Sequence, residues 1–292
     1  MGVLVRICQK LSRKFAQTIP ACTYRKLSTF HGSIDRYNGV TIKVKDNISP
    51  SMSVEDFQNL LKESLTKWRL EERTAIWLEM PIEYSRYVEA AAAEGFEFHH
   101  AEHSQCLLKL WLRDGIDASP RFATHQLGVC GVVINEETRE VLVMQEKKSQ
   151  FNKFWKFPGG LADLGENIGD AAVRETFEET GIKSEFASVI AFRQQHDHPM
   201  AYGRSDLYIV CRLRPLTFDV VPCDREVLRC QWMPIDELRE HAQITSITHR
   251  LTSLILKGLE DGFSSIDFTA EQMKSVYKGQ HFTIFHRNLE QS

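Results

Sequence analysis

Four glutamates stand within a stretch of fourteen residues: Glu166, Glu175, Glu178 and Glu179. If the chain is helical from about Ile168 to Thr180, three of them share a face. At about 100° per residue, Glu175, Glu178 and Glu179 fall within a sector of about 100°. Glu175 and Glu179 form an i, i+4 like-charge pair, which destabilises an isolated helix by roughly 0.2–0.5 kcal/mol. Converging carboxylates suit a hard, oxygen-seeking cation such as Mg²⁺ or Mn²⁺. Such an ion would cancel the repulsion, polarise a phosphoryl oxygen and activate water. The competing explanation is a solvated acidic face, and any one of these glutamates alone would favour it. Arg174 reads as an orienter of a carboxylate rather than a ligand. Gly159 and Gly160 precede the cluster and allow close backbone approach.

The elements around the cluster follow from local signals. Asn167 is a suitable N-cap with Asp170 in capping-box position, and Gly181 is a left-handed stop. Val173, Thr176, Phe177 and Thr180 occupy the opposite side and are expected to pack on a sheet. Short strands are expected at Leu127–Ile134, Val141–Gln145, Trp155–Phe157, Phe186–Gln194, Asp206–Arg212 and Arg229–Met233. A Gly-rich loop covers Pro158–Gly165, and helices follow near Ile235–Glu240 and Thr248–Glu260. This is a mixed-sheet α/β (α+β) pattern. Earlier in the chain, Gly39–Leu112 reads as β-α-β-α-β-β. Val40, Ile42 and Val44 alternate as a strand, Ser53 caps a helix to about Arg69, and Thr74–Glu79 is a strand. Tyr84–Glu94 is a second helix, and Phe96–His100 with Gln105–Leu112 form a hairpin. His99 and His100 are adjacent on a strand, so their side chains should point to opposite faces and serve packing, not a metal. The expected division is a tail at 1–32, an N-terminal α/β domain at 34–113, a linker at 114–124 and a catalytic domain at 125–285.

The spacing of the acidic segment carries a resemblance. Gly160, five residues, Glu166, seven residues, then Arg174-Glu-Thr-Phe-Glu-Glu-Thr-Gly-Ile182 is similar to the Nudix box. One position departs: Thr176 stands where that family usually has an aliphatic residue, and its β-branched shape is expected to cost the fold little. The resemblance implies an αβα sandwich that hydrolyses a nucleoside diphosphate linked to another moiety. ADP-ribose, a dinucleotide, a CoA derivative or a capped RNA end would qualify. It implies Glu175, Glu178 and Glu179 as main ligands of Mg²⁺ or Mn²⁺, Glu166 as a supporting one, Gly160 as a carbonyl donor and Arg174 as their holder. Which glutamate acts as base stays open. Glu226 is either a further ligand or base, or an exposed loop residue. His196 and His198 either contact the nucleotide or are solvated. The N-terminal block resembles an acetyltransferase-like fold, a layout shared with plant Nudix enzymes, and suggests an adaptor or dimerisation role. Homodimers are common in the family. A second functional reading is a regulatory or binding protein of cell proliferation that keeps the box and turns over slowly.

Bulk properties narrow the classes further. The chain has 292 residues, 42% hydrophobic and 26% charged, with a formal net charge of -3. That is ordinary for a globular protein of two domains, and the whole chain is not an evident polyanion binder. No apolar run approaches the roughly 18 residues of a membrane span. Seven dispersed cysteines without a Cys-x-x-Cys pair argue against a disulfide framework. The first thirty residues differ from the rest. Arg6, Lys10, Arg13, Lys14, Arg25 and Lys26 occur there, and no acid precedes Asp35. Leu4, Ile7, Leu11 and Phe15 would form an apolar stripe on a helix. The segment is either a disordered basic tail or a mitochondrial presequence. The second reading places the protein in mitochondria, with cytoplasm and nucleus as further sites. A fluorescent reporter carrying residues 1–30 is expected to co-localise with mitochondria. An even spread through cytosol and nucleus would reject that expectation.

Overall fold

The computed structural model describes residues 29–147 and 153–288. Residues 1–28, and with them nearly all of the presequence-like segment, lie outside the described residues. The chain forms two compact units that meet between Phe122 and Ala123.

The N-terminal unit is a five-stranded mixed sheet with helices. Strand β1 (Ser33–Ile34) is followed by β2 (Val40–Lys43), α1 (Val44–Asn47), α2 (Val54–Leu70) and β3 (Ala75–Pro81). Helix α3 (Val88–Ala93), β4 (Glu97–Glu102) and β5 (Gln105–Trp111) complete it, with strand order β1-β2-β3-β5-β4. The Ser53 hydroxyl accepts the Asp56 N–H at 3.0 Å and starts α2. Phe57, Leu60, Leu61, Leu65 and Trp68 recur at helical spacing and are buried in one core.

Three local expectations change here. Val44 is buried as the alternation suggested, but it opens a helical turn instead of extending β2. The segment read as a helix at Tyr84–Glu94 is split. A 3-10 turn at Ile82–Tyr87 comes first, burying Tyr84 and Tyr87, which stand three residues apart and so fall on one side of a three-residue repeat. His99 and His100 do not point to opposite faces. The register of β4 on β5 shifts between Phe98 and His100, and this bulge breaks the alternation. Their Nδ1 atoms lie 2.7 Å apart, His99 Nε2 bonds the Pro120 carbonyl at 2.8 Å, and His100 stacks on Phe122 at 4.1 Å. The pair therefore packs against the last residues of its own unit.

The C-terminal unit is built on β6 (His125–Asn135), β7 (Glu140–Glu146), β8 (Gly159–Leu161), α4 (Ile168–Thr180), β9 (Ser184–Gln195) and β10 (Ser205–Pro215). Strand β11 (Val227–Pro234), α5 (Ile235–Glu240) and α6 (Ser246–Asp261) follow. The sheet order is β11-β7-β6-β10-β9, with β8 added on β6; only β6 and β10 run parallel. Alternation along the central strands separates two cores. Val129, Val133, Leu142, Ile209, Cys211 and Leu213 face α4. Cys130, Val132, Ile134, Val141, Val143 and Val210 face α5 and α6. The result is three layers, helix on sheet on helices. Trp155–Phe157 is not a regular strand, since Lys156 makes only an isolated bridge to Met144. A hairpin of β12 (Thr269–Lys274) and β13 (His281–His286) follows α6 and was not anticipated. Before it, Asp267 accepts hydrogen bonds from Arg212 Nη2 at 2.6 Å and Ser188 Oγ at 2.6 Å, which fixes its start to the sheet.

Helix α4 packs on a different face from the one its pattern suggested. Ala172, Thr176, Glu179 and Thr180 are buried, whereas Phe177 is 47% exposed. Thr176 lies over Gly131, where a Cβ would stand 2.2 Å from the threonine Oγ1. Contact this close requires glycine on β6. The Thr176 hydroxyl is fully buried and finds no hydrogen-bond partner. The departure from an aliphatic residue is therefore not free: an unsatisfied buried polar group costs about 1–3 kcal/mol. Thr176→Val keeps the branched shape and removes that cost. It is expected to raise unfolding stability by about 1 kcal/mol in urea titration, and an unchanged or lower midpoint would show that the hydroxyl is satisfied.

Candidate active site

The glycine loop and α4 bring the acidic residues together. Helix α4 starts at Asn167, whose backbone has N-cap geometry (φ -72, ψ 145), but its side chain does not cap the backbone. Asn167 Nδ2 instead donates to Asp170 Oδ2 at 2.8 Å, so the expected capping box is a side-chain pair. The helix ends at Gly181 in the left-handed conformation (φ 73), with its N–H donated to the Phe177 carbonyl at 2.8 Å.

Arg174 is the hub of this cluster. Its Nε donates to Glu166 Oε1 and its Nη2 to Glu166 Oε2, both at 2.8 Å. Nη1 donates to Glu175 Oε1 at 2.7 Å and reaches Glu178 Oε2 at 3.4 Å. Nη2 also bonds the Leu161 carbonyl at 3.1 Å, tying α4 to the end of β8. The bidentate guanidinium pulls the Glu166 carboxyl down to about 2, aided by the Asp163 N–H. The same carboxylates push the Arg174 pKa further up.

The other glutamates differ in environment. The Glu175 carboxylate sits where a Cβ on Gly160 would be, with its atoms 2.5–2.7 Å from that position. Gly160 thus opens the space that this carboxylate fills. Burial raises the Glu175 pKa, although Arg174 opposes it. Glu179 is only 7% exposed, and its Oε2 accepts the Gly159 N–H at 2.7 Å. Burial pushes its carboxyl up to about 7, against the opposing pull of Lys156 and of that N–H. Glu178 points outward, its side chain 56% exposed. Of the three glutamates expected opposite the packing side, Glu178 is therefore exposed and Glu179 is buried.

Among the described residues, no three His, Cys, Asp or Glu side chains are gathered as a ready metal site. The reason is visible in the hydrogen bonds: Arg174 occupies the ground between Glu166, Glu175 and Glu178. The donor set nevertheless fits a hard cation. It is all oxygen, it is crowded into a cradle made by a missing Cβ, and burial leaves two of its carboxyls reluctant to ionise without a compensating charge.

The remaining expected residues are more scattered. Glu226 is exposed at the entry to β11, where its carbonyl accepts the Lys147 N–H at 2.7 Å. His196 is exposed and bonds Ser205 Oγ at 2.7 Å. His198 is half-buried and lines a cavity of about 350 Å³ with Glu146, Lys156, Arg193, Tyr208 and Thr248. Of these, only His198 had been singled out. Lys156, two residues before Pro158, had a readable signal: a cation at the entrance of a glycine loop that faces carboxylates. The others had none.

Comparison with known proteins agrees with this geometry. Residues 30–112 match the Nudix hydrolase domain model and residues 124–253 the NUDIX domain model. The chain is 45% identical to nucleoside diphosphate-linked moiety X motif 6 of Homo sapiens, over 89% of this chain and 83% of that protein. The protein of the same name from Xenopus laevis is 48% identical over 71% of this chain and 95% of its own length. Nudix hydrolase 6 of Arabidopsis thaliana is 36% identical, over 84% of this chain and 88% of its own.

The buried Glu179 makes a prediction about pH. Its carboxyl titrates at about 7 in the folded chain against an ordinary value of 4.5. The folded state therefore binds more protons across that window, and stability falls as pH rises through it. Glu166 acts the other way, but its gain is complete by about 4.5. In the presence of a chelator, the wild-type chain is expected to lose stability between about pH 4.5 and 7 relative to Glu179→Gln. Denaturant titrations at a series of pH values give the difference. Parallel curves would mean that Glu179 ionises normally.

Proposed function

The chain belongs to the Nudix hydrolase family, and on that premise we propose that it is a divalent-metal-dependent hydrolase of a nucleoside diphosphate linked to a second moiety. The observation that carries this is the grip of Arg174 on Glu166, Glu175 and Glu178, beside a glycine loop bound to Glu179. Glu175, Glu178 and Glu179, with Glu166 and the Gly160 carbonyl in support, would hold Mg²⁺ or Mn²⁺, which neutralises charge on phosphoryl oxygens and activates water.

The chain's own groups have separable tasks in this reading. Arg174 keeps carboxylates that repel one another at fixed positions, so little reorganisation is needed when charge develops on the substrate. Gly159 and Gly160 admit the carboxylates against backbone that any side chain would block. Lys156 lies close enough to Glu179 to lower its pKa and leads from the glutamates toward the cavity. ADP-ribose, a dinucleotide, a CoA derivative and a capped RNA end all contain the required P–O–P bridge. The N-terminal unit belongs to the proposal as an adaptor; its likeness to acetyltransferases rests on the run of strands and helices alone.

Glu178 gives the cleanest test, because it is the most exposed glutamate of the α4 set and its tie to Arg174 is the longest. Glu178→Gln is expected to leave the thermal melt unchanged. It should lower Mn²⁺-dependent phosphate-anhydride cleavage by about a hundredfold or more, the scale of losing one group that stabilises transition-state charge. Wild-type turnover in the variant would remove Glu178 from the metal set. If the wild-type chain itself cleaves none of the four substrate types, the reading as a binding or regulatory protein takes its place.

A further inference from the structure

The hairpin of β12 and β13 stands on the C-terminal unit as an arm. Its base is anchored: Phe285 meets Phe186 edge-on at 6.3 Å, and the Arg287 guanidinium lies over the Phe268 ring, 4.6 Å from the centroid. Beyond the base, every residue from Glu271 to Ile284 except Ser275 is exposed, on both faces of the two strands. A two-stranded hairpin is marginally stable by itself in water. Three hydrogen bonds close this one at its far end. Ser275 N–H donates to the Gln280 carbonyl at 2.9 Å, Gln280 N–H to the Tyr277 carbonyl at 3.1 Å, and Tyr277 N–H to Ser275 Oγ at 3.2 Å. Gly279, at φ 79, supplies the left-handed residue of the turn. The tip is therefore a built structure that holds Val276 and Tyr277 outward, 96% and 61% exposed.

The arm carries further apolar side chains into water. Met273 pairs across the strands with Phe282, and Ile284 follows two residues along the same face. All three are exposed. Lys274 and His281 pair on the opposite face, and Lys278 lies in the turn. Residues 272–288 contain no Asp or Glu, and Glu271, toward the base, is bonded to His286 at 3.0 Å. The whole chain carries a net charge of -3, so this acid-free tip has the opposite sign to the rest. Apolar side chains exposed together among basic ones mark a docking surface.

Three kinds of partner could cover such an arm, and two fit badly. A second copy docked about a twofold axis would bring Lys274 and Lys278 toward their own copies with no acid between them. A nucleic-acid strand would accept the lysines and Tyr277, but Val276, the most exposed of the set, has no π-face for a base to stack on. An anionic bilayer suits every group. Lysine stems lie along apolar surface while their ammonium heads reach the headgroups. The tyrosine ring sits at the same boundary with its hydroxyl in the wet layer. Val276 passes below it, where no specific pocket is required.

We propose that the β12–β13 hairpin is a membrane-docking arm that sets Val276 and Tyr277 into an anionic lipid surface while Lys274 and Lys278 bind its headgroups. The attachment is peripheral: among the described residues, no helix is long and apolar enough to cross a membrane.

The test is sedimentation of the full chain with vesicles of phosphatidylcholine, alone or with about a third phosphatidylserine. Binding to the anionic vesicles is expected to be at least about tenfold tighter, and to weaken as salt rises toward about 1 M. Val276→Asp, and Lys274→Gln combined with Lys278→Gln, are each expected to weaken it by about tenfold or more. Val276→Leu is expected to retain it. These side chains are all exposed, so the thermal melt is expected to stay in place in every variant. Equal binding to neutral and anionic vesicles, or equal binding by wild type and Val276→Asp, would overturn the assignment. So would tighter binding to single-stranded RNA than to the anionic vesicles, or a dimer in solution that Val276→Asp dissociates.

Discussion

One guanidinium makes the acidic site compatible with a folded helix. Arg174, on α4, reaches three glutamates and the Leu161 carbonyl at the end of β8, and so joins different elements. Without it, Glu166, Glu175 and Glu178 would sit close together with only water to relieve their repulsion. The consequence extends past charge. Because Nη2 also holds Leu161, the turn after β8 is set against α4, and the glycine loop inherits its position from the helix. Arginine suits this task better than lysine, since its planar fork bonds one carboxylate through two nitrogens and still has donors to spare.

Close approach is the second constraint. Three glycines sit where a side chain would collide: Gly131 under Thr176, Gly159 against the backbone of β6, and Gly160 under Glu175. Gly159 combines this with a positive φ of 159, which side chains rarely adopt, so both contact and backbone angle call for glycine there. Together these positions let helix, loop and sheet meet at backbone distance. The buried Glu179 is the result: a carboxylate drawn into the layer between α4 and the sheet, satisfied by one loop N–H and influenced by Lys156 from the cavity side.

The acidic segment was legible because its signals are local. A helix stop at Gly181, an N-cap position at Asn167 and the period of the glutamates all act within a few residues. Strand alternation in β6 and β10 was legible for the same reason, and α5 occupies the span expected for it. Local rules failed where a tertiary contact outweighed them. The bulge beside Phe98 turned His99 and His100 toward each other. Packing on Gly131 rotated α4 so that Glu179 went in and Phe177 came out. The β12–β13 hairpin carries so many polar residues that no period marked it, and its pairing is set by the chain turning back between Lys274 and His281.

By itself, then, the sequence determined the chemistry: oxygen donors at fixed spacing, an arginine among them and glycines before them, which are properties of neighbouring residues and survive any detail of packing. The tertiary structure decided which of those donors are buried, which is tied to Arg174, and what lies beside them. The cavity draws on Glu146, Lys156, Arg193, Tyr208 and Thr248, positions up to about a hundred residues apart that no local pattern connects. They meet because β7, β9, β10 and the start of α6 are brought together by the sheet order. Hydrogen bonds and desolvation depend on distance in space, and the order of residues along the chain does not encode that distance until the sheet has formed.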